Sequence, residues 1–238
     1  MSSWETNNDQ SKLLSLLYGI DVTQYKTEDE LNKRLSELKE EKTSIIKNMI
    51  IPNILKNYDI SLDKCSAIEI GPGAGIMSNW LLPKIEHLYC IDISKSILNY
   101  CKEQHTKYNN VSYNLIEKLE FPNLKDIDFV YSQSVFIHLS ILDFYLYFKE
   151  LYKVLKPNGL IYIDIIDCDV DEFTLQEDEF QRQLQLLKQG YTTGVKTLYH
   201  VNSGKVLNQV AKELGYELVW SQGSIFNPAN VGLIYKKI

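Results

Sequence analysis

Ala67-Ile68-Glu69-Ile70-Gly71-Pro72-Gly73-Ala74-Gly75-Ile76 is the stretch that decides the fold. A short apolar run carries one acidic residue near its end, and a turn then places glycines at every second position. From Met77 to Leu82 the spacing is that of an amphipathic helix. A strand that breaks at a glycine loop and continues as a helix predicts a ligand site. Glycine lets the backbone approach a bound molecule closely, and a helix start offers N–H groups that have no partner within the helix.

Working outward, short apolar runs alternate with helical segments from Lys64 onward, the pattern of an α/β fold with a largely parallel sheet. Strands are predicted at Ser66–Ile70, His87–Ile91, Val111–Leu115, Ile127–Ser132, Leu160–Ile165, Tyr216–Ser221 and Val231–Lys236. Helices are predicted near Gly75–Lys84, Lys95–Gln104, Ile141–Leu155, Glu177–Lys188 and Gly204–Leu214. Lys156-Pro157-Asn158-Gly159 reads as a helix-ending turn before the fifth strand. Residues 1–60 read as a helical N-terminal cap on a main domain of residues 61–238. In the cap, Ser11 to Tyr18 is a short helical segment, and Thr27 caps a helix running towards Lys39. A third helical stretch follows from Thr43 to Lys56, which Pro52 either kinks or restarts.

The chain has 238 residues, 45% of them hydrophobic, and a formal charge of −6. That balance argues against a general nucleic-acid binder, which carries a basic surplus. The lysines of Lys33 to Lys47 alternate with glutamates, as on a solvated helix face. Cys65, Cys90, Cys101 and Cys168 show neither C-x-x-C nor a metal-like spacing, so buried free thiols and no metal are expected. The polar start is wrong for a secretory signal, and no apolar run reaches the roughly 18 residues that span a bilayer. A soluble cytoplasmic protein is the expectation, with no membrane and no nucleic-acid partner.

The charges around the loop choose between cofactors. Asp92 follows the second strand, 17 positions after Gly75 (92 − 75), where a carboxylate can accept hydrogen bonds from both ribose hydroxyls of an adenosine. The glycines, however, run G-x-G-x-G, whereas the dinucleotide fingerprint is G-x-G-x-x-G. Glu69 also aims a negative charge at the loop, which repels a pyrophosphate and attracts an ammonium group. A cationic adenosine cofactor fits best. A nicotinamide oxidoreductase remains as a rival on the glycines and Asp92 alone.

Here the sequence resembles the class I S-adenosylmethionine-dependent methyltransferases. Glu69, Gly71, Gly73 and Gly75 match the family's E/D-x-G-x-G-x-G loop. Asp92 is similar to its second-strand acid, with Ile93 where an apolar neighbour stacks on adenine. Asp126-Ile-Asp-Phe-Val-Tyr-Ser-Gln-Ser-Val-Phe-Ile-His138-Leu is similar to the fourth strand and its loop. Leu151-Tyr-Lys-Val-Leu-Lys-Pro-Asn-Gly-Leu-Ile-Tyr-Ile163 is like the turn before strand five. The resemblance implies a doubly wound Rossmann-like α/β fold, its mostly parallel seven-stranded sheet carrying helices on both faces and ending in an antiparallel strand. It implies S-adenosyl-L-methionine as cofactor and S-adenosyl-L-homocysteine as product. The implied cofactor residues are Glu69, Gly71, Pro72, Gly73, Gly75, Asp92, Ile93, Ile116, Glu117 and Ser132. Leu115 stands where the family often has an adenine-binding aspartate, which moves the adenine contact to the backbone at Ile116, with Glu117 nearby.

Methyl transfer from a sulfonium is an in-line displacement, in which the protein positions the reactants and excludes water. His138, after strand four, is either the general base for an oxygen nucleophile or a residue that packs near the cofactor. Asp164, Asp167, Asp169, Asp171 and Glu172 form an acidic cluster past strand five. It reads as a solvated loop, a cradle for an amine substrate, or oxygen ligands of a metal. A lid insertion at about 167–200 carries Tyr191, Tyr199 and His200 as substrate residues, with Gly190 and Gly194 as hinges. Its aromatic residues either bind substrate or pin the lid, and Tyr18 and Tyr25 of the cap are further candidates to close over the cofactor. The expected activity is methylation of a small-molecule hydroxyl, of sugar or nucleotide-sugar type. A small amine is the alternative acceptor, and a non-catalytic cofactor-binding module is a rival of another class.

Overall fold

The computed structural model describes residues 13–14, 17–18, 20–116, 121–170, 200–223 and 230–238. The chain divides into two compact units, Met1–Lys118 and Leu119–Ile238.

In the first unit, Leu13, Leu14, Leu17 and Tyr18 are helical. Helix α1 (Glu28–Ile45) starts at Thr27, whose hydroxyl accepts the Glu30 N–H at 3.2 Å, with Glu28, Asp29 and Glu30 in its first turn. Acidic residues there complement the positive end of the helix dipole. The helix runs past the expected end at Lys39 because no breaker intervenes. Pro52, the second residue of helix α2 (Ile51–Asn57), is handled by a π-helical turn over Ile46–Ile50, in which the Ile51 N–H reaches back to the Ile46 carbonyl. Proline lacks the N–H that would continue the ladder, and the wider turn absorbs the mismatch.

Three parallel strands follow, in the order β3-β2-β1: β1 (Ser66–Ile70), β2 (His87–Asp92) and β3 (Val111–Leu115). Between β1 and β2 lies the short helix α3 (Ile76–Leu81), and between β2 and β3 helix α4 (Lys95–Gln104). Ser94 caps α4 by accepting the Ile97 N–H. Four of the five β1 residues are buried, as parallel strands covered on both faces require.

The second unit holds β4 (Ile127–Ser132), helix α5 (Ile141–Val154), β5 (Leu155–Asp167), a two-residue strand β6 (Val201–Asn202), helix α6 (Gly204–Glu213), β7 (Tyr216–Gly223) and β8 (Asn230–Lys237). Strand β4 is parallel to β5, whereas β8 runs antiparallel to both β5 and β7. The fold is the expected mostly parallel, Rossmann-like one of seven principal strands, and β6 is an unforeseen addition beside β5. Helix α5 opens with a reciprocal capping box of Ser140 and Asp143. It buries Phe144, Tyr147, Phe148, Leu151 and Val154 at helical spacing, and Phe144 stacks on Phe148 with centroids 4.0 Å apart. Tyr216 and Tyr235 close the cluster edge-on to Phe148.

One turn is corrected. Lys156-Pro157-Asn158-Gly159 does not separate helix from strand but is an excursion within β5. Ile127 pairs with Leu155 and Phe129 with Leu160, so five steps on one strand oppose two on the other. Asn158 takes a left-handed φ of 65°, and Lys156 Nζ fixes the excursion by an ion pair to the fully buried Asp128 at 2.7 Å.

Candidate active site

The first unit carries most of the residues that the sequence proposes for the cofactor. At the end of β1 the Gly71 N–H donates to the Ile91 carbonyl at 2.9 Å, and the Gly75 N–H closes the turn onto the Pro72 carbonyl at 2.9 Å. Gly73 and Gly75 have φ values of +53° and +70°, conformations that L side chains rarely adopt. Gly75 is therefore the left-handed residue before α3 and not part of the helix as its spacing predicts. Its carbonyl is anchored from below by the Asn79 N–H and Asn79 Nδ2, each at 2.9 Å, and by His105 Nε2 at 3.2 Å.

The two glycines do different work. A Cβ on Gly75 would stand 2.8 Å from His105 Nε2 and 3.2 Å from Cys101 Sγ, so this residue faces packed protein. A Cβ on Gly73 would meet the Leu17 carbonyl at an ordinary 3.5 Å, so the chain leaves room on that side. The helical residues Leu17 and Tyr18 pack with Ala74 of the loop and with Ile97 and Leu38, joining the cap to the cofactor loop. Burial pushes the Tyr18 hydroxyl pKa up, and the neighbouring Tyr100 raises it further.

Glu69 is buried at 4% exposure, with the Cys90 thiol directed at its Oε2 over 4.0 Å. Asp92, 7% exposed, accepts the Ser94 N–H at its Oδ1 over 2.8 Å, which holds the carboxylate at the end of β2. Beside it Ile93 is 42% exposed, and Leu115, the register partner of Asp92, is 43% exposed. Two exposed apolar side chains at neighbouring strand ends suit a flat adenine ring. In the sequence Leu115 shows only the lack of an aspartate, not its exposure beside Ile93. The Ile116 N–H donates to the Asp92 carbonyl at 2.9 Å. Ile116 itself is buried, which leaves its carbonyl as the backbone group for an adenine contact.

We expect Asp92→Ala to weaken S-adenosylmethionine binding by about 1.5–3 kcal/mol, the scale of charge-assisted hydrogen bonds. Titration calorimetry checks this, and unchanged affinity would remove Asp92 from the ribose.

Beneath the loop lies a group that the sequence reading left apart. His105, 1% exposed, has Nδ1 2.8 Å from the Tyr113 hydroxyl and 3.6 Å from Cys101 Sγ. A hydrogen bond from Cys90 pushes the Cys101 pKa down to about 6, against burial and with help from His105. Burial alone would lower the His105 pKa, but Cys101 and the Gly75 carbonyl outweigh it and the net shift is upward. The local signal was Cys101-x-x-x-His105, one helical turn apart; Cys90 joins only through the fold.

In the second unit, Ser132 is fully buried at the end of β4, and His138 is half-buried in a 3-10 turn over Phe136–His138. The His200 N–H donates to the Ile137 carbonyl at 2.8 Å, and Asn202 Nδ2 to the Leu139 carbonyl at 3.1 Å. His138 and His200, 62 positions apart (200 − 138), therefore share one neighbourhood. Glu117, Tyr191 and Tyr199 lie outside the described residues, as do Asp171, Glu172 and most of the lid.

The described part of the acidic cluster has local partners. Asp164 accepts the Ser134 N–H and Gln133 Nε2, each at 2.7 Å. Asp167 Oδ1 accepts the N–H groups of Asp169 and Gly204, each at 2.9 Å. Asp169 Oδ2 accepts the Ser203 hydroxyl and the Lys205 N–H. Those carboxylates brace the post-β4 loop and the start of α6.

A glycine loop open at Gly73, a buried acid before it and a fixed carboxylate at the end of β2 suit an adenosine cofactor. Residues 68–163 match the family described as "Methyltransferase domain", which supports a class I S-adenosylmethionine-dependent methyltransferase. It is 29% identical over 160 residues to the phosphoethanolamine N-methyltransferase of Plasmodium falciparum, an alignment covering 66% of this chain and 59% of that relative. The chain thus spans less than two thirds of that relative's length. It is also 29% identical over 93 residues to a ribosomal RNA small subunit methyltransferase A of Clostridium botulinum, covering 39% of this chain and 31% of that one.

Among solved structures, the magnesium protoporphyrin IX methyltransferase of Synechocystis, with bound S-adenosylhomocysteine, superposes with a TM-score of 0.63. The match is 11% identical and covers 98% of this chain and 95% of that one. The N-methyltransferase NodS of Bradyrhizobium japonicum, also bound to S-adenosylhomocysteine, gives 0.57 at 15% identity, over 84% and 87% of the two chains. At these identities the likeness is one of fold. The family's cofactor is S-adenosylmethionine. Among the described residues no helix is long and apolar enough to cross a membrane.

Proposed function

We propose that the protein transfers a methyl group from S-adenosylmethionine to the hydroxyl of a small-molecule acceptor, with His138 as general base. The observation that carries the methyl-donor part is the glycine loop, built around buried Glu69, open at Gly73 and followed by the fixed carboxylate of Asp92. S-adenosylmethionine supplies an electrophilic methyl on a sulfonium. Asp92 holds the ribose, Ile93 and Leu115 flank the adenine, and Glu69 offsets the cofactor's positive charge. His138 follows β4 in a turn tied to His200, a placement that supports a base that would take the proton of an acceptor hydroxyl as the methyl carbon's bond to sulfur breaks and its bond to oxygen forms, with S-adenosylhomocysteine leaving. Tyr191, Tyr199 and His200 are assigned to the acceptor. The acidic balance of −6 supports a small acceptor over a nucleic acid.

A second reading, methylation of a small amine, is favoured by the likeness to a phosphoethanolamine N-methyltransferase. The described aspartates lend it little, because Asp164, Asp167 and Asp169 already hold backbone N–H groups.

Calorimetry with S-adenosylmethionine and with NAD, followed by mass spectrometry for S-adenosylhomocysteine over a panel of sugars, nucleotide sugars and amines, tests both readings. Binding of NAD alone would overturn the methyl donor. Turnover only with amines would replace the hydroxyl reading by the second. Tight cofactor binding with no product from any acceptor would favour a non-catalytic module.

A further inference from the structure

We propose that Cys90, Cys101 and His105 form a site for one soft divalent cation of the zinc class, set beneath the glycine loop. Cys90 lies on β2, Cys101 in the last turn of α4, and His105 at the end of that helix. Both cysteines are fully buried and His105 is 1% exposed. One donor atom from each residue lies within 4.8 Å of the other two.

The distances suit an ion. Cys101 Sγ stands 3.6 Å from His105 Nδ1. A thiolate and an imidazole nitrogen on one tetrahedral zinc, bonded at about 2.3 and 2.0–2.1 Å, stand about 3.5–3.6 Å apart. The other ring nitrogen is placed as in ligating histidines, with Nε2 facing the Gly75 carbonyl at 3.2 Å so that its N–H donates there. The Glu69 carboxylate lies beside Cys90, with Oε2 4.0 Å from its sulfur. Two sulfurs and an imidazole select zinc-like ions over magnesium or calcium, which prefer oxygen.

Protons balance simply. Cys90 and Cys101 each release a thiol proton to solvent, and His105 enters as the neutral ring. The Tyr113 hydroxyl, 2.8 Å from Nδ1, turns aside to let the ion take that lone pair. The ion then ties β2 to α4 and, through His105, to the carbonyl of Gly75. Its removal is expected to loosen the loop and weaken cofactor binding, although the site itself stands independently of the acceptor.

Elemental analysis of the untagged full chain is the test, after loading with zinc under reducing conditions and extensive dialysis. About one equivalent of zinc per chain is expected, and cobalt loading should give thiolate-to-metal charge-transfer absorption. Cys101→Ser and His105→Ala should lose the metal, whereas Cys168→Ser should keep it. Cys168 belongs to a separate group with Asp167 and Asp169, so this control distinguishes the two places. A folded wild-type chain that retains no metal overturns the proposal even if the variants fail to fold. Loss of metal in Cys168→Ser with retention in Cys101→Ser overturns it as well.

Discussion

Gly75→Val is expected to abolish measurable binding of S-adenosylmethionine and to destabilise the chain by about 2–5 kcal/mol. Two effects add. At φ +70° a side chain pays left-handed strain of roughly 1–2 kcal/mol, more when β-branched. The new Cβ would also press into His105 Nε2 at 2.8 Å and Cys101 Sγ at 3.2 Å, where overpacking costs typically 1–3 kcal/mol. Neither atom can retreat easily, because His105 is held by Tyr113 and by the Gly75 carbonyl itself. Gly73→Val separates stability from binding. It has similar φ strain but no clash beneath, so it should unfold closer to wild type while still losing the cofactor, whose space it fills. Urea titration and calorimetry on both variants check this. A Gly75→Val chain that binds and unfolds like wild type would sink the account of the loop.

Turnover of His138→Ala should fall about 10²–10⁴-fold with cofactor affinity unchanged, the usual contribution of a positioned general base. The prediction rests on the turn over Phe136–His138, which follows β4 and is tied to His200 through the Ile137 carbonyl. A side chain that merely packed there would change stability more than rate. The pH profile gives an independent readout, since the acidic limb of kcat/KM reports the pKa of the base and should disappear in the variant. His138→Gln keeps much of the volume but cannot act as a base, so it should be as slow as the alanine variant. Activity near wild type in both variants would return His138 to packing.

Much of the fold was legible because its signals are local. Strand β1 is an apolar run bounded by turn residues, and Thr27 and Ser140 show their caps within three residues. The excursion at Lys156–Gly159 was misread for a reason in the same vein. Asn158 and Gly159 announce a break in regular backbone, but only pairing with β4 reveals that the break lies inside a strand. The acidic run at the end of β5 reads in the sequence as a solvated loop, an amine cradle or a metal site, but its first members lie within the strand. Asp164, Asp167 and Asp169 take their meaning from N–H groups of Ser134, Gly204 and Lys205, 30 to 37 positions away, which no local pattern could supply.

The chain's apolar period determined by itself the α/β class, and the motif Glu69–Gly75 carried the resemblance to the methyltransferases, because left-handed backbone at glycines and strand-to-helix alternation are written residue by residue. Only the tertiary structure decided what lies under that loop. Cys90 and Cys101 sit on different elements, and they meet His105 because the packing of α4 against β2 brings the three donors to within 4.8 Å of one another. Side-chain convergence of this kind follows from packing between elements, and packing is a property of the folded chain and not of any stretch of its sequence.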